Sequence, residues 1–399
     1  MKGLAKLALF ATLVLTSACS AILRNPVPEQ YHLDATVLDR SDLRFWGDRR
    51  NQAPHAIFQR AEEGTLEEYF GGILRREHNY LAISGGGANG AYGAGVLRGW
   101  SESGTRPEFT LVTGISTGAL TAPFAFLGSD YDGPLKKVYT TLDTSRIILR
   151  RSIFSIARGD SLVDSTPLAE ILGKHITDDM ITKIAAEYRR GRGLYVVTTN
   201  LDAGRPVVWN ITRIAASGHP EAPALIRNVL LASASIPGVF PPVYVRVQTP
   251  DGSTYDEMHV DGGTSAQLFL YPSSADWRGL LDILEVPGRP KAYLIRNSRF
   301  VPDYDPVRAR VGAIAGRSID SLIRTQGIGD TYRITALAKR DGVDVKLTWI
   351  PPTAVRDPGN EIFDPEYMSE LFEYGYQRAL AGEAWREVSI NKAGTLSAD

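Results

Sequence analysis

Twice in close succession an apolar run in this chain is cut off by glycines and followed at once by helical spacing, and that alternation narrows the fold more than any other feature. Tyr80-Leu81-Ala82-Ile83-Ser84 ends in Gly85-Gly86-Gly87, after which Ala91 to Trp100 spaces its apolar residues by helical turns. Phe109 to Gly114 repeats the pattern and turns at Ile115-Ser116-Thr117-Gly118 into an apolar helix from Ala119 to Leu127. Each unit reads as strand, glycine turn, helix. Two in a row imply an α/β fold with a parallel sheet, since parallel neighbours need a crossover and a helix supplies it. Further strands fit Leu194 to Thr198, Val207 to Ile211, Val243 to Val247, Met258 to Asp261, Ala292 to Asn297 and Val345 to Ile350. Helices fit Ala224 to Ser233, Val311 to Arg340 and Pro365 to Ala381. No repeat, low-complexity tract or long linker divides the chain after residue 79, and a length of 399 residues with 43% hydrophobic and 22% charged side chains suits one large domain.

The N-terminus has a different character. Lys2 and Lys6 precede an apolar run from Leu7 to Leu15, too short for the ~20 residues of a spanning helix, and then Thr16-Ser17-Ala18-Cys19. Residues 1–18 read as a signal peptide. Ser17-Ala18-Cys19 resembles the lipobox of bacterial lipoproteins, which implies that Cys19 becomes an acylated first residue; the plainer alternative is a chance cysteine in an ordinary cleavable signal. Ser20 resembles the sorting choice of outer-membrane lipoproteins, so the expected location is an exported protein anchored in the outer membrane and facing the periplasm or the cell surface. Cys19 is the only cysteine, and with it acylated the mature chain has no disulfide. Residues 19–78 read as a tether with a short helix near Ala61 to Ile73, followed by one domain over 79–390. Lysine and arginine total 44 against 45 acids, so the net charge of -1 lacks the basic bias of a nucleic-acid binder. The sequence names no protein partner.

Gly114-Ile115-Ser116-Thr117-Gly118 matches G-x-S-x-G, in which a serine on a sharp strand-to-helix turn exposes its hydroxyl and Gly114 and Gly118 remove clashing side chains. Chance supplies about 0.25 such matches in a chain of this composition. The apolar strand before and helix after strengthen it beyond a serine that merely caps a helix. Ser84 to Gly90 leads into a helix, so backbone N–H groups and the positive helix end converge on something negative. The run is neither of the phosphate-binding glycine patterns and has no lysine after it, which leaves an oxyanion hole as the better reading. Of six histidines, only His259 shares a strand face with another candidate group, Asp261, which ends that strand before Gly262-Gly263. Asp261 can act as a base if burial raises its pKa. Asp-Gly is also an everyday turn signal.

Together these residues resemble the patatin-like phospholipases, over roughly residues 79 to 385. The likeness rests on Gly85-Gly86-Gly87-Ala88-Asn89-Gly90, Gly114 to Gly118, Ala232-Ser233-Ala234-Ser235-Ile236-Pro237-Gly238-Val239-Phe240-Pro241-Pro242, and Asp261-Gly262-Gly263. It implies a three-layer fold with a mainly parallel sheet flanked by helices. It also implies a Ser116–Asp261 dyad working without histidine, and an oxyanion hole from Gly85, Gly86, Gly87, Asn89 and Gly90. The chain has Asn89 where the family carries Arg or Lys, and Pro272 falls later than the family's proline. The implied activity is that of a phospholipase A type lipid acyl hydrolase, with a membrane lipid as substrate and neither metal nor other cofactor. Two alternatives stand beside it: a non-catalytic lipid-binding lipoprotein, and an acyltransferase using the same acyl-enzyme. A Ser116, Asp202, His259 triad on an α/β-hydrolase fold is a third arrangement. Phe124, Phe126, Phe154 and Phe269 are candidates for an acyl groove, although most are expected to be core.

Overall fold

A computed structural model describes residues 24–49, 66–141, 149–150, 161–302, 304, 306–355, 363–390 and 396–398. Cys19, the signal segment, Phe154 and the first part of the helix expected near Ala61 lie outside the described residues; a helix there runs Leu66–Phe70. One sheet holds β1 (Arg44–Trp46), β2 (Asn79–Ile83), β3 (Leu111–Ile115), β4 (Gly193–Asn200), β5 (Arg205–Asn210), β6 (Val243–Gln248), β7 (Thr254–Asp261), β8 (Lys291–Arg296), β9 (Asp344–Trp349), β10 (Arg386–Ile390) and β11 (Leu396–Ala398). Their order is β1-β5-β4-β3-β2-β8-β9-β10-β11, with β7 also on β4 and β6 on β7. The five central strands, β4-β3-β2-β8-β9, pair parallel, while the outer ones are antiparallel. This central block is covered on both faces, which is why β3 is buried at every residue and reads as a continuous apolar run.

The longer helices are α1 (Gly90–Glu102), α2 (Thr117–Leu127), α3 (Asp132–Thr141), α4 (Thr166–His175), α5 (Asp178–Arg189), α6 (Ala222–Ser233), α7 (Val311–Asp341) and α8 (Pro365–Leu380). Leu81, Ile83 and Val112 face a large core with α1, α2, α6 and α8, whereas Tyr80, Ala82 and Leu111 face a smaller one with Ile334 and Ala338 of α7. The result is the three-layer α/β arrangement expected, with the sheet in the middle. Strand positions agree with the apolar runs, and β7 begins at Thr254, four residues before the expected Met258.

Residues 24–49, placed by sequence in a tether, contribute to the sheet. β1 pairs antiparallel with β5, Thr36 exchanges backbone hydrogen bonds with Gln248, and Asp256 N–H donates to Asn25. Beneath β1 the Arg44 guanidinium is ion-paired to Glu257 on β7, both side chains being almost wholly buried. The Arg44-Phe45-Trp46 strand is too short to show alternation, so no period marked it.

Candidate active site

Two strands reach the site from opposite directions along one edge of β4. β3 runs beside β4 as far as Ile115, which pairs with Val197. From Thr198 that edge is taken over by β7, antiparallel, with Asp261 opposite Thr198. The other edge of β4 is occupied by β5 throughout this stretch, so the ends of β3 and β7 must meet. Ser116 follows the end of one and Asp261 ends the other. The Ser116 hydroxyl donates to Asp261 Oδ2 at 2.6 Å across 145 residues of chain.

The turn after β3 is sharp enough to hold Ser116 at φ 55°, ψ −126°, a left-handed conformation that side chains other than glycine adopt only under constraint. Several contacts supply the constraint. A Cβ on Gly118 would sit 2.2 Å from the Ile83 carbonyl oxygen, so only glycine lets α2 approach β2 this closely. Ser116 N–H donates to Ser233 Oγ at 3.0 Å, and Ser233 Oγ–H donates to Val197 O at 2.7 Å. Two residues on, the Ser235 carbonyl accepts Asp261 N–H at 2.8 Å. The Ala232 to Pro242 block thus acts as a splint holding both chemical residues by their backbones. Its apolar Ile236 and Phe240 line the cleft beside them.

Asp261 is buried, and its second oxygen accepts Gly263 N–H at 2.6 Å. Burial pushes its carboxyl up to about 7, against the opposing pull of hydrogen bonds from Ser116 and Gly263. A carboxyl with this pKa changes protonation near neutrality while bonded to a hydroxyl, which is the chemistry of a general base. Among the described residues no histidine hydrogen-bonds either group. His259 lies buried between Thr198 Oγ1 and Glu257, each 2.9 Å from a ring nitrogen, and burial pushes its pKa down. Asp202 is ion-paired to Arg24. The Ser116, Asp202, His259 arrangement is therefore not assembled.

The glycine run does not place all its members alike. Gly87 lines the cleft together with Ser116. Gly85 packs behind it, where a Cβ would lie 3.1 Å from that of Ser116. Gly86, at φ 154°, presses on Asn297, and Gly90 packs against Thr117 and Tyr139. Asn89 Oδ1 accepts the Tyr367 hydroxyl at 2.7 Å, so the amide is tied to α8. Sequence reading missed Asn297, which is fully buried just after β8. It receives Gly93 N–H on Oδ1 at 3.1 Å and donates its amide to Ser84 O at 3.0 Å, while Ser84 Oγ accepts its backbone N–H. One side chain thereby fixes both ends of the glycine loop.

The Ser116 hydroxyl opens into a cleft of about 770 Å³, mouth included, whose walls are chiefly apolar: Leu120 and Phe124 of α2, Leu168 and Leu172 of α4, Phe240, and Met368 of α8. Of the expected groove residues Phe124 lines it, Phe126 is buried in the main core and Phe269 in a small cluster with Ile115 and Val208. Leu168, Leu172 and Ile176 stand four apart, a helical signal present in the sequence that was not singled out. His175 ends α4 and also lines the cleft. Among the described residues no group of three or more His, Cys, Asp or Glu could hold a metal ion.

A family model described as patatin-like phospholipase matches residues 81–271. Among solved structures the chain is similar to VipD from Legionella pneumophila, at 16% identity and a TM-score of 0.38, covering 78% of this chain and 68% of that one. Comparison with curated proteins gave no match.

Proposed function

We propose, from the match of residues 81–271 to the patatin-like phospholipase model, that this protein is a lipid acyl hydrolase in which Ser116 is the nucleophile and Asp261 its base. The observation that carries the reading is the 2.6 Å hydrogen bond between a strained, cleft-facing serine and a buried carboxylate whose pKa lies near neutrality. In the first step Asp261 takes the hydroxyl proton as Ser116 Oγ bonds to the ester carbonyl carbon. The oxyanion is held by backbone N–H groups of the glycine loop, with Gly87 nearest the cleft. Collapse expels the alcohol, which leaves with the proton from Asp261, and forms the acyl-enzyme. Water, deprotonated by the same carboxylate, then adds to the acyl carbon, and collapse breaks the bond to Ser116 Oγ, which takes the proton back from Asp261 as the fatty acid leaves. The apolar walls suit an acyl chain rather than a polar substituent. An acylated Cys19 would keep the enzyme beside such a substrate.

The test is fatty-acid release from phosphatidylcholine and phosphatidylethanolamine vesicles by the full chain, Ser116→Ala and Asp261→Asn. We expect each substitution to reduce release by ~10³-fold or more while the circular dichroism spectrum is unchanged. Wild-type rates in either variant would remove the dyad.

A further inference from the structure

We propose that the N-terminal half of α7, with the loop leading into it, is a docking surface for an anionic lipid bilayer. This deepens the lipid-hydrolase reading and rests on it. The helix has 31 residues and so spans roughly 46 Å, more than twice the roughly 20 Å of a six-residue strand such as β8. Its position is fixed by Gly327, where a Cβ would stand 2.7 Å from the Arg296 guanidinium at the end of β8. Ile334 and Ala338 then pack back along the sheet, and Gly342 turns the chain into β9. Residues 311–326 therefore overhang the end of the sheet by roughly 24 Å. That end carries the site: β8 stops beside β2 and the glycine loop, and β3 stops at Ser116.

Among the described residues almost nothing covers the overhang. Val311 is 87% exposed, Leu322 70%, and Ile314 and Ile319 each 52%. On a 3.6-residue period these side chains, with Ile323, share one side of the helix, and Arg317, Asp320 and Arg324 share the other. The preceding loop adds Tyr304, 93% exposed, and Val307 beside the exposed Arg308 and Arg310. Between Asn297 and Arg324 five arginines (299, 308, 310, 317, 324) stand against three aspartates (303, 305, 320), a local excess of two positive charges in a chain whose net charge is -1. An amphipathic helix with arginines on its polar face, too short in its apolar part to cross a bilayer, is built to lie in the headgroup plane of anionic lipid. The arginine excess favours that occupant over a second copy of the chain, which would bring the same charges face to face.

The test uses the full chain carrying Cys19→Ser and Ser116→Ala, so that neither acylation nor turnover contributes, with Leu322→Cys labelled by an environment-sensitive nitrobenzoxadiazole dye. We expect a blue shift and brightening when vesicles of phosphatidylglycerol and phosphatidylethanolamine are added, and a weaker response to phosphatidylcholine alone. Ile314→Glu with Ile319→Glu should weaken the vesicle titration about 10-fold or more, the value of two buried aliphatic side chains. Arg308→Ala with Arg310→Ala should abolish the preference for anionic vesicles. With Ser116 restored, the double glutamate variant should lose vesicle hydrolysis by the same factor and keep its rate on a soluble short-chain ester. A label that does not respond to vesicles overturns the proposal, as does sedimentation showing that the glutamates dissolve a dimer while vesicle binding is unchanged. If the label responds but no ester is cleaved, docking stands and the hydrolase reading falls.

Discussion

Asp261 is a carboxyl kept from water and set against a hydroxyl, and both its reactivity and its strain on stability come from that placement. In the proposed dyad Asp261 acts ionised, so kcat/KM should rise with pH and level off above a midpoint near 7, measured on a soluble ester to avoid changes in the lipid. The same shift acts on folding with the opposite sign. Between the ordinary carboxyl value of 3.8 and about 7 the folded chain holds a proton that the unfolded chain has released, so stability falls as pH rises through that window. The full span corresponds to about 4 kcal/mol. Asp261→Asn should therefore melt higher than the parent at pH 8, with the difference vanishing near pH 4; calorimetry at the two pH values checks it. Ser116 and Asp261 were legible in the sequence because glycines mark the turn at each: Gly114 and Gly118 on either side of Ser116, and Gly262-Gly263 directly after Asp261. Asn297 was not, because a single amide after an apolar strand has no spacing to betray that it fastens a loop more than 200 positions away.

Among the elements, β4 sets the geometry. It extends past the end of β3, and the edge it leaves open receives β7, so the register of two pairings decides where serine and carboxylate stand. A slip of one residue in β7 would turn Asp261 to the opposite face. The glycine loop depends similarly on β8 through Asn297. Asn297→Ala would leave Ser84 O and Gly93 N–H without their side-chain partners, with an expected loss of about 1–3 kcal/mol. Urea denaturation measures that loss, and kcat should fall with KM little changed if the loop supplies oxyanion donors. The strand-turn-helix units were readable because central parallel strands are apolar on both faces. α3 and the segment at Arg44 were not: α3 mixes Asp132, Gly133 and two lysines with its few buried residues, and β1 is three residues long.

At the scale of the whole molecule the N-terminal segment belongs to the sheet that carries the site. Burial alone would push the Glu257 carboxyl up, but the Arg44 charge and hydrogen bonds from Arg44 and His259 hold it well below the usual range. Arg44→Met would strand that carboxylate, and we expect a loss of about 3–5 kcal/mol in denaturant unfolding, far above a surface ion pair. Glu257, His259 and Asp261 occupy alternate positions of β7, so Arg44 is paired to the same strand that ends in Asp261. The head-on meeting of β3 and β7 also means that Ser116 and Asp261 are brought together by two pieces of chain that need no covalent link near them. The turn from Thr249 to Ser253, which joins β6 to β7, lies at the opposite end of β7 from Asp261 and holds itself closed by its own hydrogen bonds. Nicked there, the chain should stay assembled as two fragments, one bringing Ser116 and the other Asp261, held by the pairing of β7 with β4 and β6.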